Sequence, residues 1–106
     1  MSEFDYQKID EVLHSRIRTA IMAVLISVEE AEFKFLKEKV NATDGNLSVH
    51  LKKLEDAGYV KVNKSFIDRK PLSKYKITNK GHKAFEDYIL KLESIIKSNS
   101  NSKEKK

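Results

Sequence analysis

Residues 43–60, T-D-G-N-L-S-V-H-L-K-K-L-E-D-A-G-Y-V, constrain what this chain can fold into more than any other stretch. Thr43 is an N-cap residue type, and Asp44 puts an acid in a first turn, where it complements free amides and the helix dipole. Leu47, Leu51 and Leu54 then recur at i, i+4 and i+7, one stripe of a helix, and Gly58 stands where a helix ends in a left-handed residue. The spacing predicts a helix with one buried face and a defined stop. The opposite face carries Asn46, Ser48, Val49, Lys52 and Lys53, with His50 near the boundary. Short polar or small side chains followed by two cations pack poorly against protein and suit a DNA groove.

The flanks of this helix decide what it belongs to. Upstream, Phe33, Leu36 and Val40 lie at helical spacing, and Asn41 and Ala42 leave only a tight turn before Thr43. Two helices joined by about three or four residues form a helix-turn-helix unit. Downstream, residues 59–63 alternate, with Tyr59, Lys61 and Asn63 opposite Val60 and Val62, as a half-buried strand does. Residues 72–78 alternate again, Leu72, Lys74, Lys76 and Thr78 opposite Ser73, Tyr75 and Ile77. Strand, loop and strand directly after such a unit make a wing. The expected fold is mainly α with a small β-hairpin wing, and extra terminal helices.

With 106 residues the chain has room for one modest core, so residues 1–97 are expected to form a single domain. The longest apolar run, residues 20–26, is far short of the roughly 20 residues of a membrane helix, and Glu3 and Asp5 stand where a signal peptide needs cations. No membrane partner is expected. Cysteine is absent, which excludes disulfides, thiolate metal sites and a nucleophilic thiol and is compatible with a cytoplasmic location. The net charge of +5 is unevenly placed: residues 1–42 hold 6 Lys and Arg against 8 acids, residues 43–83 hold 10 against 4, and residues 84–106 hold 5 against 4. The excess belongs to the proposed helix and wing. Phosphate neutralisation needs such a concentration, although charge alone also fits a lysine-rich solvated surface.

In chain order, Tyr6, Ile9, Val12 and Leu13 supply apolar residues at helical spacing, in a helix beginning near Lys8 that either stands alone or continues into the next. From residue 14 to 28, Ile17, Ala20, Ile21, Val24, Leu25 and Val28 form the best helical stripe in the chain, the scaffold for Leu36 and the three leucines. Acidic residues 29–32 close it, and residues 32–34 could add a very short strand to the wing. The wing loop, residues 64–71, carries Lys64, Arg69 and Lys70, with Pro71 stiffening the return. It is read either as a plain hairpin turn or as a tip for an adjacent minor groove or phosphate backbone. From Asn79 to about Lys97 a last helix carries Phe85, Tyr88, Ile89, Leu92, Ile95 and Ile96 at spacings of three and four. That stripe exceeds what so small a core can cover. A two-fold dimer is therefore expected, built from Tyr6, Ile9, Val12, Leu13, Tyr88, Ile89, Leu92, Ile95 and Ile96, with packing of first and last helices within one chain as the alternative. Residues 98–106 are Ser, Asn, Lys and Glu only and are expected to be a disordered tail.

Leu47, Ser48, His50, Leu51, Lys52, Lys53, Leu54, Glu55, Ala57, Gly58, Tyr59 and Val60, with Arg69, Pro71, Tyr75, Ile77, Thr78 and Gly81 after them and His14, Arg16, Ile17 and Arg18 before, resemble the winged-helix transcriptional regulators of prokaryotes, on the side shared by the MarR-like and ArsR-like families. The resemblance covers about residues 8–96. It implies a homodimer on double-stranded DNA, with recognition helices in successive major grooves about 34–36 Å apart. Thr43 would stand at the helix start; Asn46, Ser48, Val49 and His50 would face base edges, Asn46 suiting adenine and Val49 a thymine methyl. Lys52, Lys53, Lys64, Arg69, Lys70 and Lys74 would meet phosphates or the minor groove. The chain departs from thiolate metal sensors in lacking their cysteines and from drug-responsive regulators in lacking their extra length.

Enzyme chemistry finds no support. His14, His50 and His82 fall on different expected elements without ligand spacing, Ser48 has no base beside it, and no glycine-rich phosphate loop exists. No cofactor is expected, and the sequence does not say whether a small-molecule effector exists. Two readings remain: a dimeric sequence-specific DNA-binding regulator, more often a repressor, and a winged-helix interaction module for an acidic protein partner.

Overall fold

The computed structural model describes residues 9–104, with side chains described through 97. Its elements run α1 (Arg16–Ile26), β1 (Ala31–Glu32), α2 (Phe33–Val40), α3 (Asp44–Asp56), β2 (Val60–Ile67), β3 (Lys70–Ile77) and α4 (Asn79–Glu104). The three strands form an antiparallel sheet in the order β1-β3-β2.

α1 begins where Ser15 caps it, the Ser15 hydroxyl accepting from the Arg18 amide at 3.3 Å. Ile21 and Leu25 of the expected stripe are buried. Met22 is also fully buried, although it lies off that stripe, because α1 touches α2, α3 and β3 and is enclosed on more than one side. The helix expected over residues 6–13 is not what the described part of that segment forms. There Asp10 organises a turn, its carboxylate accepting from the amides of Val12 at 2.9 Å and Leu13 at 3.2 Å. A short polar side chain that satisfies nearby amides competes with helix, and here it wins. Tyr6 lies outside the described residues.

α2 stops at Asn41, which takes the left-handed conformation at φ 55°, ψ 53°. The turn to α3 is then Asn41, Ala42 and Thr43, as tight as the sequence suggests. Thr43 caps α3, its hydroxyl accepting from the Asn46 amide at 3.2 Å. At the other end Gly58, at φ 82°, closes a Schellman motif: the Gly58 amide donates to the Glu55 carbonyl at 2.9 Å and the Tyr59 amide to that of Leu54 at 3.0 Å. Leu47, Leu51 and Leu54 are buried in one cluster with Leu13, Ile21, Met22, Leu25 and Leu36, each such side chain stabilising the fold by on the order of 1.5–3 kcal/mol.

The wing differs from expectation at its tip. Strands β2 and β3 pair continuously from Val60↔Ile77 to Ile67↔Lys70, so the expected loop over residues 64–71 shrinks to Asp68 and Arg69. Both have positive φ, 51° and 68°, as a two-residue turn matched to the twist of the strands requires. Pro71 is accommodated opposite Phe66, in a stretch of β3 where β1 no longer pairs. β1, expected at residues 32–34, sits slightly earlier, pairing Ala31 with Tyr75 and Glu32 with Lys74.

Thr78 starts α4 as an N-cap, accepting from the Gly81 amide at 2.9 Å while its own hydroxyl donates to the Gly58 carbonyl at 2.6 Å. Gly81 packs so tightly against the Tyr59 carbonyl that a β-carbon there would lie 2.1 Å from its oxygen. α4 continues to Glu104, past the end expected near Lys97, so the described part of the polar run expected to be disordered carries on the helix. Among the described residues no helix is long and apolar enough to cross a membrane.

Candidate nucleic-acid interface

α3 turns its leucines inward, and its other side chains divide accordingly. Asn46, Ser48, Val49, Lys52 and Lys53 are all exposed, Val49 to 54%. A β-branched apolar side chain held in solvent among polar neighbours is unused by the core. Thr43 is exposed too, but its oxygen is committed to the cap. Asp44 would repel phosphate at this end of the helix; it is offset by Lys37 of α2, with Nζ 2.8 Å from its carboxylate.

Lys52 is less free than the sequence suggests. Its ammonium lies 3.0 Å from Asp56 one turn on, and the hydrogen bond to that carboxylate raises its pKa. Both groups are mostly exposed, so the pair exchanges readily with solvent or a phosphate. Lys53 carries no such partner among the described residues.

His50 is half-buried at the edge of this face. Its Nδ1 lies 2.8 Å from Nη1 of Arg18 on α1, and Arg18 Nε in turn donates to the Val12 carbonyl. Burial, reinforced by the charges of Arg18 and Lys53, lowers the imidazole pKa from its ordinary value and so favours the neutral form. The contact with Arg18 escapes sequence reasoning because it joins residues 32 apart.

At the wing tip Lys64, Arg69 and Lys70 are exposed, and no carboxylate among the described residues forms an ion pair with them. Phe66 and Ile67 stand beside them, exposed to 74% and 57%. The sequence signal for their exposure is their place at the end of a hairpin that outruns the small core beneath it. Lys74 departs from the expected set. It is half-buried and pairs with Glu30 at 3.6 Å at the β1 end of the sheet, away from the tip.

The residues expected at a dimer interface also separate. Leu13 and Tyr88 belong to the core of the chain itself, at 0% and 5% exposure, with Tyr88 Oη 3.1 Å from His14 Nδ1. For these two the intramolecular alternative holds, because the Asp10 turn folds the N-terminal segment onto α4. Ile9, Val12 and Leu92 are half-buried against the same core, and Ile95 is half-buried. Ile89 and Ile96 are exposed, at 42% and 63%, as is Leu90 at 61%. Among the described residues no group of three or more His, Asp or Glu side chains could hold a metal ion.

A helix-turn-helix whose second helix leads straight into an antiparallel hairpin, with a short strand before the first helix completing the sheet, defines a winged helix. The chain belongs to the family of winged helix DNA-binding domains, whose model it matches over residues 17–96. It is 46% identical over 87 residues to an uncharacterized protein of Methanocaldococcus jannaschii, covering 82% of this chain and 95% of that one. Its fold superposes on a transcriptional regulator homologue from Pyrococcus horikoshii with a TM-score of 0.78 and 29% identity, over 84% of this chain and 88% of that one. A PadR family transcriptional regulator from Eggerthella lenta gives a TM-score of 0.70 at 20% identity, over 90% of both chains. A MarR family regulator from Silicibacter pomeroyi gives 0.65 at 16% identity, over 84% of this chain and 59% of that one. The fold is therefore that of transcriptional regulators.

Proposed function

We propose that the protein is a dimeric, sequence-specific regulator of transcription that sets α3 in the major groove and rests its wing on the neighbouring minor groove or backbone, repressing by occlusion. The observation that supports this best is the division of α3: its leucines are consumed by the core while Asn46, Ser48, Val49 and Lys53 stand free of it. Asn46, Ser48, Val49 and His50 read base edges; Lys52, Lys53, Lys64, Arg69 and Lys70 meet phosphates or, at Arg69, the minor groove. Ile89, Leu90 and Ile96 form the nucleus of the contact between protomers, since such residues on one helix mark an interface. Selection of bound duplexes from a random pool tests the proposal. A consensus with two-fold symmetry supports both specificity and dimerisation, and recovery of unrelated sequences contradicts the base-reading role.

A second reading, docking of an acidic protein partner, is favoured by one observation: Phe66 and Ile67 are exposed beside Lys64, Arg69 and Lys70. Absence of binding to any duplex at low salt is the outcome that selects it.

A further inference from the structure

Arg18 stands on α1, outside the helix that carries the proposed base contacts. Its guanidinium has five N–H donors and no acceptor, and it stays charged at any accessible pH. The 2.8 Å contact between its Nη1 and His50 Nδ1 therefore requires a lone pair on Nδ1. A neutral imidazole with its lone pair on Nδ1 carries its proton on Nε2. Arg18 is itself held at two points, by Nε on the Val12 carbonyl and by its amide on the Ser15 hydroxyl. On α3, His50 shares a side with Asn46 and Lys53, at i−4 and i+3, and both of those are exposed.

We infer that Arg18 is a positioning residue that locks His50 in its Nε2–H tautomer and so makes it a hydrogen-bond donor to the major-groove edge of a purine, guanine above adenine. The inference rests on the proposal that α3 reads bases. Guanine offers two acceptors there, N7 and O6; adenine sets an amino group beside its N7; thymine offers the single acceptor O4 beside its methyl group; cytosine offers only a donor, which a fixed donor rejects. Without Arg18 either ring nitrogen can carry the proton, and His50 can then accept from an amino group as readily as donate. The restriction is what turns an ambiguous side chain into a selective one.

Two measurements on the full chain test this. Nitrogen-15 NMR of the histidine rings near neutral pH reads the tautomer without DNA: His50 is expected as Nε2–H in the wild type and as a tautomer mixture in Arg18→Met, with Arg16→Met as a control that leaves it unchanged. Binding to selected duplexes then reads the consequence. Replacing guanine by cytosine at one position of a single half-site is expected to weaken the wild type by about tenfold, the worth of one good hydrogen bond to a base. That discrimination is expected to vanish in both Arg18→Met and His50→Ala. An Nδ1–H or mixed tautomer in a wild type that binds duplex overturns this inference alone. So does an Arg18→Met protein that weakens on all duplexes evenly and keeps the preference. A wild type that has the expected tautomer yet binds no duplex overturns both this inference and the reading beneath it.

Discussion

Tyr59 Oη donates to Asp10 Oδ2 at 2.5 Å, fastening the residue that leaves α3 to the turn that precedes α1. Burial, this hydrogen bond and the Asp10 charge push the phenol up to about 12. The fold therefore retains a proton that the unfolded chain loses near its ordinary value of about 10. The contribution is fully present below about pH 10 and is lost as pH rises toward 12. Thermal melts from pH 9 to about 11.5 should show wild type losing its advantage over Tyr59→Phe across that window; parallel curves would contradict the coupling.

Gly81 and Gly45 should respond oppositely to alanine. A β-carbon on Gly81 meets the Tyr59 backbone at 2.1 Å, so Gly81→Ala must shift β2 against α4 and should cost about 1–3 kcal/mol, the usual range for overpacking. Around Gly45 nothing lies within 4 Å, and in a helix alanine should stabilise by roughly 0.5–1 kcal/mol. Denaturant midpoints measure both, and equal effects of one sign contradict the assigned packing.

Asn46 and Arg69 should separate base reading from backbone contact. Asn46→Ala is expected to relax preference at one base pair, worth about 1–3 kcal/mol of discrimination, with little change elsewhere. Arg69→Ala should weaken all duplexes more evenly. Affinities on a panel of single-base variants decide it, and even losses from both substitutions remove Asn46 from the reading set.

Association of protomers is predicted to depend on Ile89, Leu90 and Ile96, the large apolar side chains that α4 leaves exposed among the described residues. Sedimentation at micromolar concentration should find a dimer for the wild type and a monomer for the pair Ile89→Glu and Ile96→Glu. A wild-type monomer contradicts the interface.

Much of this architecture was legible because it is local. The leucine stripe of α3, the caps at Thr43 and Thr78 and the left-handed Gly58 are written in adjacent residues, and each was found where periodicity and capping chemistry place it. What escaped depends on partners far along the chain. Residues 9–13 have helical spacing, yet the Asp10 carboxylate binds their amides and Tyr59 holds it there. The wing turn is shorter than the sequence suggests because Asp68 and Arg69 both adopt positive φ without the glycine that normally signals such a turn. At the candidate site, charge and exposure on α3 could be read directly. The Lys52–Asp56 pair is local, one turn apart on α3, but the Arg18 contact to His50, the ion pair that occupies Lys74, and the burial of Leu13 and Tyr88 all required the tertiary arrangement.

Duplex affinity as a function of salt tests the central claim most directly. With Lys52 set aside because it is paired with Asp56, Lys53, Lys64, Arg69 and Lys70 supply to the DNA four cations per protomer that are unpaired among the described residues, so at about 0.9 per contact the slope of log affinity against log salt should be roughly −3.6 for one protomer and about −7 for two. A slope in that range that becomes shallower in Lys64→Ala and Arg69→Ala is the predicted result. Undetectable duplex binding at low salt, or affinity indifferent to salt, contradicts the account.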